Sequence, residues 1–382
     1  MNTDTQSKPF AVLVAGTNLA RLQEAEAEFD RSARFRARIT TPATVGDVGG
    51  GENVDVVLLC IEHLDDTVRT LLEQIRTALG EVPVVVLSDQ LEDTEARELI
   101  HLHVDDWLVR PLKTGELVSS IEAVMRSSKT SGNKVHAVIS GSAGAGATVT
   151  AVSLTGLLAS KFSGKGKSVS LFDLDFASGN CGYALNMVNR YDLKAVLSYP
   201  ERVDVEFTNL IREQHKDGFF VYSFKRPELT SNHNSNELVL RMLDAVNFQH
   251  EHTVLDIPYY STDWRANVLE AVDTYTIVAD LNLPALRQTL DVLNAIREIK
   301  GDSAKVTILI NKHRRSIFGG GLGKKDLKEL FGDTPIRYLP YDDQLINESL
   351  NRGVLPAEIS SGSKFVRALR KYSEEIVKEK QE

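Results

Sequence analysis

Gly141, Gly144 and Gly146 stand among Ser142, Ala143, Ala145 and Ala147, and Thr148 closes the run. This small-residue stretch follows an apolar segment, Ala137–Ile139, and precedes a long alternation of small and apolar residues that reads as a packed helix. A strand, a tight loop and a helix N-terminus in that order build an anion cradle. Backbone N–H groups point into the loop, and the helix dipole adds partial positive charge. A loop that turns over nucleoside triphosphates also carries a lysine before the final Ser/Thr, because an ammonium must offset the β- and γ-phosphate charge. Here that position is Ala147. The stretch has the backbone of a phosphate site without its principal cation.

Acids at strand ends supply the other half of such chemistry. Ser168–Asn180 (SVSLFDLDFASGN) reads as a strand ending in Asp173 and Asp175, and Thr253–Ile257 as a second strand carrying Asp256. Further strands at Thr274–Ala279, Val306–Ile310 and Arg337–Leu339 end in Asn311-Lys312 and in Pro340-Tyr341-Asp342-Asp343. Ahead of these, strands at Phe10–Ala15, Asp55–Ile61, Val82–Leu87 and Asp106–Val109 alternate with helices at Asn18–Phe29, Thr67–Ala78, Asp93–Ile100 and Thr114–Arg126. That alternation predicts α/β architecture with parallel sheets covered on both faces. The polar segment Ser127–Lys134 reads as the boundary, giving domains at 1–126 and 135–382 joined by a linker at 127–134.

Length and composition agree. The 382 residues suit two domains, and 42% hydrophobic with 25% charged residues is ordinary globular composition. A net charge of −9 argues against general affinity for nucleic acid. Two widely spaced cysteines, Cys60 and Cys181, fit a reducing compartment and offer no disulfide framework. The first residues lack a signal-peptide pattern, and no apolar run approaches the roughly 18 residues a membrane span needs, so a cytoplasmic protein is expected. His215, His233, His250 and His252 lack metal-like spacing and are expected at the surface. Lys312-His313-Arg314-Arg315 and Gly319–Gly321 read as solvated loop. Phe365, Val366, Leu369, Tyr372 and Ile376 form the inward stripe of a final helix.

The second half resembles the MinD/ParA family of deviant Walker ATPases. The family loop Lys-Gly-Gly-x-Gly-Lys-Thr corresponds to Ser142–Thr148, so Ser142 replaces the lysine that crosses the dimer interface and Ala147 the phosphate-loop lysine. The resemblance implies an ATP and Mg²⁺ site. Ser142, Ala143, Gly144, Ala145, Gly146, Ala147 and Thr148 would cradle phosphates, and Thr148, Asp175 and Asp256 would serve the metal. Asp175 would polarise the attacking water. Asn311 and Lys312 (LINK) with Pro340 and Asp342 (LPYDD) would hold the base. Loss of two charge-assisted bonds of roughly 1.5–3 kcal/mol each implies weak or absent nucleotide binding and little or no hydrolysis, the alternative being an empty relic whose glycines only permit tight helix–strand packing.

The first half resembles a response-regulator receiver, a flavodoxin-like fold. DVVLLCI, VVVLS and DDWLVRP look like its three functional strands, with Cys60 at the phospho-acceptor position, Ser88 at the switch hydroxyl and Arg110 in place of lysine. Ala15-Gly16-Thr17 replaces the acidic pair that binds Mg²⁺. Phosphoryl transfer needs clustered carboxylates and an acceptor oxygen, so a pseudo-receiver used for docking is expected. A receiver-like unit ahead of a MinD/ParA-like unit with a decayed loop is similar to the TadZ/CpaE proteins of type IVb (Tad) pilus assembly, and LPYDDQLINESLNRGVLPAEISSGSKFVRALRKYSEEIV resembles their C-terminal portion. The resemblance implies a homodimer that recruits the pilus secretion ATPase and other Tad components to a cell pole. It would act through a polar landmark protein, peripheral to inner-membrane machinery and without nucleic acid. An active Mg²⁺-ATPase for positioning or partitioning, and a phosphorylation-controlled regulator, remain the alternatives.

Overall fold

The computed structural model describes residues 10–30, 35–42, 44, 54–80, 82–92, 94–95, 98–99, 102, 104–113, 115–177, 179–187, 189–224, 233–314 and 322–378. The chain divides into two compact units, Met1–Gly132 and Asn133–Glu382. The first contains β1 (Phe10–Gly16), α1 (Leu19–Asp30), β2 (Phe35–Thr40), β3 (Val56–Ile61), α2 (Asp66–Leu79), β4 (Val84–Ser88), β5 (Asp106–Val109) and α3 (Glu116–Ser131). Its five strands pair in parallel in the order β2-β1-β3-β4-β5, the flavodoxin-like order. Strands β3 and β4 are wholly buried because helices cover both faces. Alternate β3 residues serve separate cores, Val57, Leu59 and Ile61 on one face and Val56, Leu58 and Cys60 on the other.

Two sequence readings change here. The edge strand β2, FRARIT, was not anticipated; its mixed burial reflects an edge position. The polar segment from Ser127 is not a linker through most of its length, since α3 runs on to Ser131. Ser, Lys and Thr are polar but compatible with helix, and the run meets no glycine or proline before Gly132. The helix expected at Asp93–Ile100 lies partly outside the described residues.

The second unit is built on β6 (Lys134–Ser140), α4 (Ala147–Phe162), β7 (Val169–Asp173), α5 (Cys181–Ala184), α6 (Lys194–Leu197), α7 (Val205–Ile211), β8 (Glu213–Gln214), β9 (Phe220–Tyr222), α8 (His233–Gln249), β10 (His252–Ile257), α9 (Arg265–Glu270), β11 (Thr274–Asp280), α10 (Leu283–Lys300), β12 (Val306–His313), α11 (Lys324–Phe331), β13 (Ile336–Pro340), α12 (Asp343–Arg352), α13 (Pro356–Ile359) and α14 (Lys364–Ile376). Its eight strands run β13-β12-β11-β6-β10-β7-β9-β8, parallel except for the β8–β9 pair. Strand β6 sits where the order reverses: later strands β11–β13 lie on one side and β10, β7 and β9 on the other. In open α/β sheets ligands bind beyond the strand C-termini at such a point.

Helix α4 is buried on nearly every side, which explains its all-round apolar sequence. It packs on the sheet and on α14, whose Phe365, Val366, Leu369 and Tyr372 are buried in the same cluster. Gly156 permits that closeness, because a Cβ there would lie 2.4 Å from the Leu355 side chain.

The histidines depart from expectation. His215, His250 and His252 are buried rather than surface residues, whereas the His233 side chain lies outside the described residues. His252 stacks on Phe162 at 4.2 Å and hydrogen-bonds His136, and His250 contacts the Tyr222 hydroxyl. The imidazoles serve as flat, hydrogen-bonded core groups.

Candidate functional site

The loop Gly141–Gly146 leaves the C-terminal end of β6 and delivers Ala147 as the first residue of α4. Two glycines set its path: Gly144 has φ 73° and Gly146 φ 91°, conformations that L residues rarely adopt. Gly141 is needed for a different reason. A Cβ there would come within 2.4 Å of Thr289 Oγ1 and 3.0 Å of Val278 O. Thr150 Oγ1 donates to Gly146 O at 2.9 Å, and Gly141 N–H donates to Val278 O. Ser142, Ala145 and Ala147 are buried, whereas Ala143 and Gly144 are exposed. The helix N-terminus and the loop amides fit a phosphate group in backbone geometry; the Ala147 methyl contributes no charge.

The acidic half of the site differs from the sequence reading in one respect. Asp173, the last residue of β7, faces Asp256 on the adjoining strand β10, and both side chains are buried. Asp175 lies beyond the strand end, where it accepts from the Tyr260 hydroxyl at 2.5 Å and from Ala177 N–H. Burial pushes both Asp173 and Asp256 upward in pKa; the Asp173 charge adds to the rise at Asp256, and the Asp175 charge adds to that at Asp173. Asp173 is partly held down by Ser223 Oγ at 2.8 Å and by the N–H groups of Cys181 and Asp175. Asp256 receives the Thr148 hydroxyl and, at 3.3 Å, the Cys181 thiol. Thr148 and Asp256 are therefore together as the sequence suggested, and Asp173 joins them rather than Asp175. Carboxylate and hydroxyl oxygens are hard donors suited to Mg²⁺, and two facing carboxylates gain from a divalent countercharge. The donor set fits the metal.

Strands β12 and β13 bring the remaining residues to the same edge of the sheet. Asn311 Nδ2 donates to Ala145 O at 2.9 Å, and Lys312 Nζ donates to Gly144 O at 2.6 Å while pairing with Asp280 at 3.3 Å. Pro340 ends β13, and Asp342 caps α12 by accepting from Leu345 N–H. The Arg314 guanidinium lies over the Tyr341 ring at 3.9 Å. Arg315 and Gly319–Gly321 lie outside the described residues. Sequence reasoning missed the pairing of Asp173 with Asp256, the contacts of Cys181 and Tyr260, and Asp280. Only Asp280 left a signal, an acid ending an apolar strand.

No protein-family model matches the chain, and no curated protein matches its sequence. Its fold does have solved relatives. A ParA family ATPase from Chlorobium tepidum aligns with a TM-score of 0.54 at 16% identity, over 63% of this chain and 98% of the other. MinD of Aquifex aeolicus, from a MinC:MinD complex, aligns at 0.51 with 20% identity, over 64% and 96%. MinD of Pyrococcus horikoshii, complexed with Mg-ADP, aligns at 0.50 with 16% identity, over the same shares. The first unit is too short to hold an alignment of that length, so the match rests on the second. The second unit has the ParA/MinD ATPase fold.

Within that fold, the loop after β6, the Asp173–Asp256 pair and Asn311 lie at the C-terminal ends of the interior strands β6, β7, β10 and β12. The first unit presents a separate picture. Cys60 ends buried in β3, and burial raises its thiol to about 11 despite the neighbouring Arg110. Ser88 is engaged by the Trp107 indole at 2.7 Å, and a Cβ at Gly16 would collide with Cys60 O at 2.4 Å. A protonated, enclosed thiol is no phosphoryl acceptor.

Proposed function

We propose that this protein is a localisation factor of the TadZ/CpaE kind. It dimerises through its ATPase-fold unit, holds ATP with Mg²⁺ weakly, hydrolyses it little or not at all, and recruits the pilus secretion ATPase and other Tad components to a cell pole. The observation that carries the nucleotide part is the loop itself. Its backbone path, helix N-terminus and Asn311 tether are in place, while Ala147 and Ser142 stand where a working loop has ammonium groups. The order of the two units and the C-terminal segment Leu339–Val377 support the pilus assignment. The Mg-ADP in one MinD of the same fold, and the MinC partner of another, support a nucleotide and a protein partner.

In this reading Thr148, Asp173 and Asp256 would hold the metal, with Asp175 just beyond the end of β7. A bound Mg²⁺ supplies the positive charge that the two carboxylates need. The chain's residues otherwise bind and orient: loop N–H groups would donate to phosphate oxygens, and Asn311 fixes the loop beside the base. Transition-state charge finds no lysine in the loop, so the barrier to hydrolysis stays high. The first unit serves docking.

A fluorescent ATP analogue with Mg²⁺, with turnover followed in the same samples, tests this. Saturable binding without turnover is expected for the natural sequence. Ala147→Lys should tighten binding by roughly 10- to 100-fold, the worth of one charge-assisted hydrogen bond. Clear turnover by the natural sequence would overturn the reading in favour of a partition-type Mg²⁺-ATPase, which the intact Thr148–Asp256 contact favours.

A further inference from the structure

Strand β12 pairs regularly with β13 through Ile310, and then its register shifts before His313. Irregularities at strand ends re-aim side chains. Here the shift coincides with Lys312, a non-glycine residue at φ 52°. A lysine in this region carries backbone strain, which persists where the surroundings over-determine it. What the conformation achieves is visible. The amine folds back onto the phosphate loop and bonds Gly144 O at 2.6 Å, while Asp280 Oδ2 lies 3.3 Å away. The neighbouring Asn311 bonds the next carbonyl, Ala145 O, at 2.9 Å.

Two consecutive loop carbonyls are thus gripped by two consecutive side chains from another strand. In a planar peptide the C=O and the N–H of the following residue point in opposite directions. Carbonyls of Gly144 and Ala145 held on the β12 side turn the N–H groups of Ala145 and Gly146 to the other side, toward the interior of the loop. The Ala145 N–H rests there on Ser142 O at 3.2 Å. A cation on the Gly144 carbonyl also polarises that peptide and makes its N–H a stronger donor. Gly146 is part of the same device, because a Cβ there would sit 2.4 Å from Asn311 Nδ2.

We propose that Asn311 and Lys312 form a two-point clamp that keeps the loop amides preset for a polyphosphate anion in a chain whose loop has no lysine of its own. Lys312 is a positioning residue. It acts through the Gly144 carbonyl and not by touching phosphate, with Asp280 anchoring its amine. The inference rests on the nucleotide reading for its ligand, but the clamp itself is testable without one.

The test compares the natural full-length protein with Lys312→Met, which keeps length without charge, and Lys312→Arg. Amide hydrogen exchange in ligand-free protein is read at Ala145 and Gly146, and affinity is read with a fluorescent ATP analogue and Mg²⁺. Lys312→Met should speed exchange at those two amides, and weaken the analogue, by about 3- to 10-fold, with Lys312→Arg restoring most of both. Unchanged exchange in Lys312→Met would overturn the clamp. So would acceleration spread evenly through the second unit, which would mark Lys312 as a general stabiliser. Failure of the natural protein to bind the analogue, with loop exchange still accelerated by Lys312→Met, would leave the clamp standing and overturn the nucleotide reading instead.

Discussion

Gly146 is the residue at which the loop has least freedom to change. It combines φ 91° with an approach to Asn311 that leaves no room for a methyl group. Gly146→Ala is expected to cost about 1–3 kcal/mol in stability and to lower ATP-analogue affinity with it, read by urea unfolding and by titration of the same preparation. Asp173 and Asp175 show what spacing leaves open. Both acids were legible at the end of one strand, and an extended chain would turn both to the same face. Strand β7 stops at Asp173, and the chain then turns so that Gly179 N–H bonds Asp175 O. Only Asp173 stays opposite Asp256. Cys60 carries the opposite lesson: its mismatch with a phospho-acceptor was evident from residue type alone, and burial adds that its thiol stays protonated.

Within the sheet, the pairing of β6 with β10 carries a pH sensitivity that no motif announces. His136 Nδ1 meets Thr274 Oγ1 at 2.8 Å, and its Nε2 meets His252 Nδ1 at 3.1 Å, in a core closed by Phe162. Burial drives His136 down to about 3 and His252 to about 4. An unfolded histidine titrates near 6.5, so below that pH the unfolded chain takes up a proton that the folded one refuses. Stability is complete above about pH 6.5 and falls as the pH drops toward the folded values. Between pH 6.5 and pH 5 a single such histidine removes roughly 2 kcal/mol. Melting temperatures across this range should fall steeply for the natural protein and less steeply for His136→Gln; parallel curves would refute the assignment. The apolar strands β3, β4, β6, β10 and β11 were legible because buried parallel strands are continuous hydrophobic runs. Strands β2, β8 and β9 were not: β2 is an edge strand of alternating polar and apolar residues, and β8 and β9 span only two and three residues, too few for a period to register.

For the whole molecule, each compact unit has its own apolar clusters, and each contains one of the two tryptophans, Trp107 and Trp264. Trp107→Phe and Trp264→Phe therefore leave a single emitter in one unit at a time. Denaturant titrations of the two variants should give two distinct midpoints; coincident curves would mean that the chain unfolds as one cooperative block. The sequence alone determined the α/β class, the place of the glycine-rich loop, the absence of lysine from it and the strand ends that bear Asp256 and Asn311. These are local matters of residue type and period, written over a few consecutive residues. Tertiary structure alone decided which acid faces Asp256, that His250 and His252 are core residues, and that Lys312 reaches the Gly144 carbonyl. Each of these depends on where a strand stops or shifts against its neighbour in the sheet, and such pairings arise from packing across the sheet, which no local pattern records.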